Sequence, residues 1–126
     1  MLHAAARGQQ GVCFVEPEAR LPFMLMDQAI DATLALARAE RPSRRVYNVA
    51  SFAPSAGQIA QAISRHFPGF TVRYEVNPGR SAIVSSWPAD VDRSAAVEDL
   101  GLALDQDFET VLAERLVPAV RKMYGS

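Results

Sequence analysis

The hydrophobic positions of the chain follow two kinds of spacing, one typical of helices and one typical of strands. Spacings of three and four residues predict amphipathic helices, each closed by a glycine or a proline. These stretches cover residues 1–7, 27–40, 55–67, 92–100 and 108–123. The first has the form of the tail of a helix, which suggests that further sequence lies upstream. The pattern therefore predicts about five helical pieces.

Polar residues predict where these helices begin and end. Ser55 and Gln58 have the spacing of a capping box, in which each side chain binds the other residue's backbone N–H. Asp27 and Asp92 are predicted N-caps, because a carboxylate accepts hydrogen bonds from the free N–H groups of a first turn. Gly101 lies where a C-terminal glycine is expected.

The last predicted helix contains Pro118, which lacks the N–H group that an unbroken helix needs. We therefore expect this helix to be kinked or divided in two. Regular spacing places its apolar face on Phe108, Val111, Leu112, Leu116, Ala119 and Met123.

Three short stretches, residues 12–15, 46–50 and 70–76, are predicted to be strands. The last alternates apolar and polar residues, as a half-buried strand does. Residues 46–50 form a run between turn signals, which predicts a strand covered on both faces. Because helices and strands alternate, we predict an α/β fold with a single domain over residues 1–126. So few strands leave exposed edges unless another domain or another copy covers them.

Another apolar run, Leu21–Met26, has no periodicity that assigns it to a helix or a strand. Its length and Pro22 favour a buried extended segment. Met24 and Leu25 are candidates for the wall of a ligand pocket. Ordinary core packing is the alternative, since methionine is a common filler of cores.

Composition excludes several classes of function. Hydrophobic residues make up 49% of the 126 residues and the formal net charge is −1, so the chain can bury a core and has no basic block for nucleic acid. Cys13 is the only cysteine and the two histidines are far apart, so we expect neither a disulfide nor a metal site.

No apolar run reaches the length of about 18 residues that a membrane helix requires. A lone thiol favours a reducing compartment, and we expect a cytoplasmic location.

The stretch at residues 80–101 carries the strongest candidate for a binding site. It contains the only tryptophan, Trp87, between Ser86 and a proline, with Arg80 upstream after a turn. A large aromatic ring, a cation and small hydroxyl groups can close over a small anionic or zwitterionic ligand. The alternative is that Trp87 fills the core or its edge, as single tryptophans often do.

Motifs of a complete active site are absent from the sequence. There is no glycine-rich dinucleotide loop, and Pro118 stands where the only lysine, Lys122, would need the tyrosine of a Tyr-x-x-x-Lys pair. No P-loop, serine-hydrolase or zinc-protease motif occurs. We therefore expect no cofactor site and no catalysis in this chain alone.

A series of short motifs runs the length of the chain. They are His3-Ala4-Ala5, Cys13-Phe14, Leu21–Met26, Tyr47-Asn48-Val49, Arg80-x-Ala82-Ile83-x-x-Ser86-Trp87-Pro88 and the residues from Asp92 to Gly101. In order and spacing they resemble the C-terminal part of extended short-chain dehydrogenases, specifically the L-threonine 3-dehydrogenase type. Leu25 and Ser85 depart from the family pattern, which has tyrosine and aspartate there.

The resemblance implies an NAD-dependent oxidoreductase whose N-terminal Rossmann half is missing here, together with its cofactor loop and its catalytic tyrosine and lysine. This chain is then the substrate-binding part, not catalytic alone, of an enzyme that oxidises a 2-amino-3-hydroxy acid. On this basis Trp87 packs over a small amino-acid substrate. The residues expected to line or support the pocket are Arg80, Ser86, Met24 and Leu25.

Two alternative functions remain open. A nucleotide-sugar epimerase or dehydratase belongs to a sister group, but its pocket must hold a base and a diphosphate, for which Arg80 alone offers little. The other alternative is a non-enzymatic remnant or interaction module whose half-covered sheet pairs with a Rossmann partner or with another copy of itself. We expect no nucleic-acid partner and no membrane association.

Overall fold

A pair of parallel strands and a set of helices make up residues 1–125, the part of the chain that the computed structural model describes. The α/β class is therefore confirmed. In chain order the elements are α1 (Leu2–Ala6), β1 (Gly11–Cys13), α2 (Met26–Arg38), α3 (Ala56–His66), β2 (Val72–Tyr74), α4 (Pro78–Ser85), α5 (Ser94–Leu100), α6 (Phe108–Val111), a π-helical turn (Leu112–Leu116) and α7 (Val117–Tyr124).

The strands β1 and β2 are parallel because the chain between them crosses over through α2 and α3. In this pairing Gly11 stands opposite Val72, and Cys13 stands opposite Tyr74. A Cβ atom at Gly11 would lie 2.8 Å from the ring of Phe70, so a residue without a side chain is needed there. Phe70 thereby covers the start of the strand pair.

The main core lies between α1, α3 and the helical run at residues 108–124. Its largest buried side chains, Ile63 and Leu112, are each 1% exposed. The buried members of this core are Ala5, Ala62, Ile63, Leu112 and Val117. Within residues 1–125, none of the helices has both the length and the apolar character needed to cross a bilayer.

Two predicted helix ends are confirmed, at Ser55 and Gly101, whereas the prediction that Asp92 is the N-cap of α5 is wrong by one residue. Ser55 and Gln58 form the capping box of α3, with N–H to side-chain oxygen distances of 3.1 and 2.8 Å. Gly101 ends α5 in the left-handed conformation, with a φ angle of 63°. Asp92 accepts a hydrogen bond from the N–H of Ser94 at 2.9 Å, although Arg93 is the residue immediately before the helix.

The prediction that Asp27 is the N-cap of α2 is wrong. The helix begins at Met26, so Asp27 lies inside its first turn. There the carboxylate still accepts a hydrogen bond from the N–H of Gln28, at 2.9 Å, and it pairs with Arg115. The bond from Arg115 lowers the pKa of Asp27 below its ordinary value. A carboxylate is favourable both at the N-cap and in the first turn of a helix, because it is attracted to the free N–H groups there.

Pro118 does not break the helix, since residues 108–124 form one continuous helical run, which contains a π-helical turn at Leu112–Leu116 just before Pro118. A π turn holds one more residue than an α turn, so the buried face moves by one position beyond it. Val117 and Val120 are buried in place of the predicted Ala119 and Met123, and Met123 is 65% exposed. The first part of the predicted face, up to Leu112, is unaffected.

The two predicted extended segments differ from expectation. Residues 46–50, predicted to be a strand, have no regular secondary structure and join no ladder within residues 1–125; Val46 is 76% exposed, although Ala50 is buried. The segment Leu21–Met26 does pair with the chain at residue 52, where the N–H of Phe23 donates to the carbonyl oxygen of Phe52 at 2.8 Å. It is not buried, however, since Phe23 is 40% and Met26 is 76% exposed.

Sequence analysis missed helix α4 altogether and took its residues for a turn and a loop. The Asn77-Pro78-Gly79 signal is in fact a helix start. The side chain of Asn77 accepts a hydrogen bond from the N–H of Arg80 at 3.0 Å, and Pro78 occupies the first turn, where its missing N–H has no cost. Arg80 therefore lies on a helix.

We predict that Ile63→Ala lowers the free energy of unfolding by about 2–5 kcal/mol, because it leaves a cavity in the main core. The matched control is Ile83→Ala, since Ile83 is also helical but is 57% exposed, and it should change the stability by less than about 0.5 kcal/mol. Urea unfolding followed by circular dichroism measures both. Equal losses in the two variants would contradict this account of the core.

Candidate functional site

Phe14 and Asn77 follow the parallel strands at their carboxyl ends, the edge at which α/β sheets commonly bind ligands. The strand pair continues briefly beyond its regular part, since the N–H of Asn77 donates to the carbonyl oxygen of Phe14 at 2.9 Å. Asn77 then begins α4. This hydrogen bond brings the start of α4 next to Phe14.

Helix α4 is anchored by Ser81, whose side chain is buried. The hydroxyl of Ser81 donates a hydrogen bond to the carboxylate of Glu16 in the loop after β1. This bond lowers the pKa of Glu16 and so favours its charged form. Ser81 is buried and Glu16 is charged, so the hydrogen bond between them is strong. It fixes the position of α4 relative to the end of β1.

Arg80 is exposed on α4, and its guanidinium carbon lies 5.3 Å from the centre of the Phe14 ring. This is the geometry of a cation–π contact, which holds a charged side chain in place without neutralising it. Arg80 therefore remains available to an anion. Phe14 is not among the predicted site residues; its place near the carboxyl end of the strand predicted at residues 12–15 was the available signal.

An apolar groove of about 180 Å³ lies beside this contact. Phe14 forms part of its lining, and Val84 of α4 forms another part. The other residues that line it are Met1, Cys13, Val15, Ala19, Leu21, Phe23, Pro54, Ala56 and Ile59. The groove thus joins the end of β1, helix α4 and the segment 21–23.

Ser86 and Trp87 lie at the C-terminal end of α4. The hydroxyl of Ser86 donates to the carbonyl oxygen of Ile83 at 2.7 Å, and the N–H of Trp87 donates to the carbonyl oxygen of Val84 at 3.1 Å. The side chain of Trp87 is 56% exposed, so it is not filling the core of this chain. The structure holds the backbone of Trp87 and leaves most of its ring uncovered.

Met24 and Leu25 are half-buried in the extended segment that leads into α2. Leu25 is the residue before the first helical turn, and its N–H donates to Oε1 of Gln28 at 3.4 Å. Among the five predicted site residues, Arg80 contacts the groove residue Phe14 through its side chain and Trp87 contacts Val84 through its backbone N–H, in the interactions described for residues 1–125. Met24, Leu25, Ser86 and Trp87 do not line that groove.

Ion pairs and hydrogen bonds hold the chain that follows Trp87. Arg93 pairs with Asp90 at 3.1 Å and with Asp105 at 2.7 Å. Asp99 on α5 accepts hydrogen bonds from the hydroxyls of Ser43 and Tyr47. The bonds from Ser43 and Tyr47, in that order of effect, lower the pKa of Asp99. Helix α5 is thereby tied to the extended segment after α2.

Comparisons with known proteins find relatives for most of the chain, although no protein-family model matches it. The mitochondrial L-threonine 3-dehydrogenase of Bos taurus is 35% identical over 118 residues, which cover 92% of this chain and 32% of that protein. An uncharacterized epimerase/dehydratase of Staphylococcus haemolyticus is 34% identical over 100 residues, which cover 77% of this chain and 31% of that protein. The chain spans only about a third of the length of these relatives.

Solved structures of L-threonine dehydrogenases are also similar to most of this chain. A GalE-like L-threonine dehydrogenase from Cupriavidus necator is similar with a TM-score of 0.85 at 36% identity, over 94% of this chain and 43% of that one. A partial consensus L-threonine 3-dehydrogenase is similar with a TM-score of 0.87 at 34% identity, over 96% of this chain and 39% of that one. The fold of the chain is therefore that of one part of these proteins.

Asp99→Asn should lower the free energy of unfolding at neutral pH and have progressively less effect in acid. The folded pKa of Asp99 lies below the value of about 3.9 for an unfolded aspartate, so its contribution is present above that pH and is lost as the pH falls through the folded pKa. Urea unfolding of both proteins between about pH 7 and pH 3 tests this. The exposed Asp31 of α2 provides the control, Asp31→Asn. A loss for Asp99→Asn that does not change with pH would contradict the proposed cause.

Proposed function

The chain belongs to the extended short-chain dehydrogenases of the epimerase/dehydratase family, as a C-terminal part, and on this premise we propose that it is the substrate-binding part of an oxidoreductase that resembles L-threonine 3-dehydrogenase. The predicted resemblance and fold are thereby confirmed at the level of the family. The substrate and the roles of individual residues are the content of the proposal.

The observation that carries the proposal is the spacing of Arg80, Val84 and Trp87. Arg80 and Val84 are four residues apart in α4 and share one of its faces. Trp87 lies two residues beyond the end of α4, where its N–H donates to the carbonyl oxygen of Val84. Val84 lines the apolar groove, and Arg80 stacks on Phe14, which lines it too. A cation within α4 and a large aromatic residue just beyond its end thus both contact residues of one apolar wall.

This arrangement suits a small amino acid. The guanidinium of Arg80 can bind the carboxylate of the substrate through two parallel hydrogen bonds. Trp87 can cover the substrate and exclude water, which favours hydride transfer from a carbon held against a nicotinamide. NAD is bound by the N-terminal half of the whole protein in this proposal, since the present sequence lacks a dinucleotide-binding loop.

Helix α2 supports the proposal that an N-terminal half packs against this chain. Ala32 is its buried residue, yet Met26, Ile30 and Leu34 form an apolar stripe on the other side and are 76%, 52% and 43% exposed. A helix that is apolar on both faces normally has a partner on each. Because the chain spans about a third of its relatives, the occupant we propose for the second face is the remainder of such a protein.

Ile30→Glu should therefore prevent association with a nucleotide-binding half. The test expresses the chain together with the N-terminal half of the threonine dehydrogenase from Cupriavidus necator and measures co-purification. The control Met123→Glu places the same charge at an exposed apolar position on α7. We expect Ile30→Glu to reduce the recovered complex at least about tenfold, since a buried unpaired charge is strongly unfavourable. Recovery that is equal in the two variants would contradict the proposed surface.

Trp87→Ala should lower turnover in the protein joined to that half far more than it lowers stability. The assay is NAD reduction with L-threonine, and we expect a loss of at least about tenfold because the substrate is no longer shielded from water. Because Trp87 is mostly exposed, thermal unfolding should change little; Met123→Ala serves as the matched control.

The other outcomes of this assay distinguish the alternatives. A loss of stability as large as the loss of turnover would make Trp87 a packing residue. Activity with a nucleotide sugar but not with L-threonine would favour the epimerase/dehydratase alternative, which the staphylococcal relative supports by its name. A folded, associated protein without either activity would favour a non-enzymatic module.

A further inference from the structure

The largest groove described for residues 1–125 lies at the amino ends of β1 and β2, the edge opposite to Phe14 and Arg80. It has a volume of about 500 Å³, within the range of small-molecule sites. The turn after α1, the turn after α3 and helix α7 form its walls. The residues that line it are Ala5, Gly8, Gln9, Gln10, His66, Phe67, Pro68, Gly69, Phe70, Thr71 and Arg121.

Arg121 is the fixed cation of this groove. One of its terminal nitrogens donates to the carbonyl oxygen of His66 at 2.9 Å, and its guanidinium carbon lies 5.2 Å from the centre of the Phe67 ring. These two contacts orient the planar guanidinium while using few of its five N–H donors. The remaining donors are available to a ligand.

The rest of the lining also favours an anion. Gln10 donates from its side-chain amide to the hydroxyl of Thr71 at 3.2 Å, which places two exposed polar side chains on the wall formed by the first turns of the strands. Gln9 and His66 add further groups able to donate hydrogen bonds. Among the described residues that line the groove there is no aspartate or glutamate, although the whole chain carries a formal net charge of −1.

We propose that this groove binds a phosphate group, either free phosphate or the phosphoryl group of a small metabolite. A guanidinium held by a ring and a carbonyl can make two parallel hydrogen bonds to phosphate oxygens, and the amide donors on the other wall can reach the remaining oxygens. The absence of a carboxylate from the lining removes the repulsion that a multiply charged anion would otherwise meet.

The test titrates the full chain with inorganic phosphate at constant ionic strength and follows binding by calorimetry. We expect saturable binding that Arg121→Gln weakens at least about tenfold, since one hydrogen bond to a charged group contributes about 1.5–3 kcal/mol. Lys122→Gln is the matched control, because it removes the same charge from the next residue of α7, outside the groove. It should change the dissociation constant by less than about twofold, since exposed charges interact weakly in salt.

A second variant keeps the test decisive if Arg121→Gln fails to fold. Gln10→Glu keeps the size of an exposed side chain but places a carboxylate in the groove, and it should abolish phosphate binding while the circular dichroism spectrum is unchanged. Titration with methyl phosphate separates the two sources, since tighter binding than free phosphate indicates a metabolite. The proposal is overturned by an absence of saturable binding, by equal weakening in Arg121→Gln and Lys122→Gln, or by acetate binding as tightly as phosphate.

Discussion

The packing of α3 against the C-terminal helical run is the contact on which the rest of this structure depends. Two strands of three residues each bury too little surface to be stable alone. Ile63 on α3 and Leu112 in the π-helical turn supply the missing apolar contact, and Phe70 extends it to the first residue of β1. Once the strands are held, their carboxyl ends bring Phe14 next to the helix that carries Arg80 and leads into Trp87.

The distribution of apolar surface explains why the core is small. Buried hydrophobic residues concentrate between α1, α3 and residues 108–124, whereas α2 carries exposed apolar residues on the side away from Ala32. Residues 46–50 also pair with no strand within residues 1–125. Both features are among the reasons why we propose that the remainder of a longer protein packs against this chain.

The two ends of the strand pair differ in chemistry. At the carboxyl end, an apolar wall lies beside Arg80, and a carboxylate, Glu16, anchors α4 from the side. At the amino end, Arg121 lies among amides and a hydroxyl without a carboxylate in the lining. An arginine stacked on phenylalanine occurs at both ends, so the neighbouring groups, and not the cation itself, distinguish the proposed amino-acid site from the proposed phosphate site.

Local chemistry in the sequence determined the α/β class, the capping box at Ser55 and the left-handed end at Gly101, because these depend on residues within a few positions of one another. Tertiary structure alone decided the rest. Residues 46–50 join no ladder within residues 1–125 although their pattern predicts a strand, and Asp27 is oriented by Arg115, which is far away in sequence. The π-helical turn moved the buried face by one position, from Ala119 to Val120, and Val117 joins Ile63 of α3 in the main core. The sequence by itself therefore determined the candidate residues Arg80 and Trp87 and the helix start at Asn77, which depends on neighbouring residues. The contact of Arg80 with Phe14 arose only when distant segments packed together, because these two residues follow different strands.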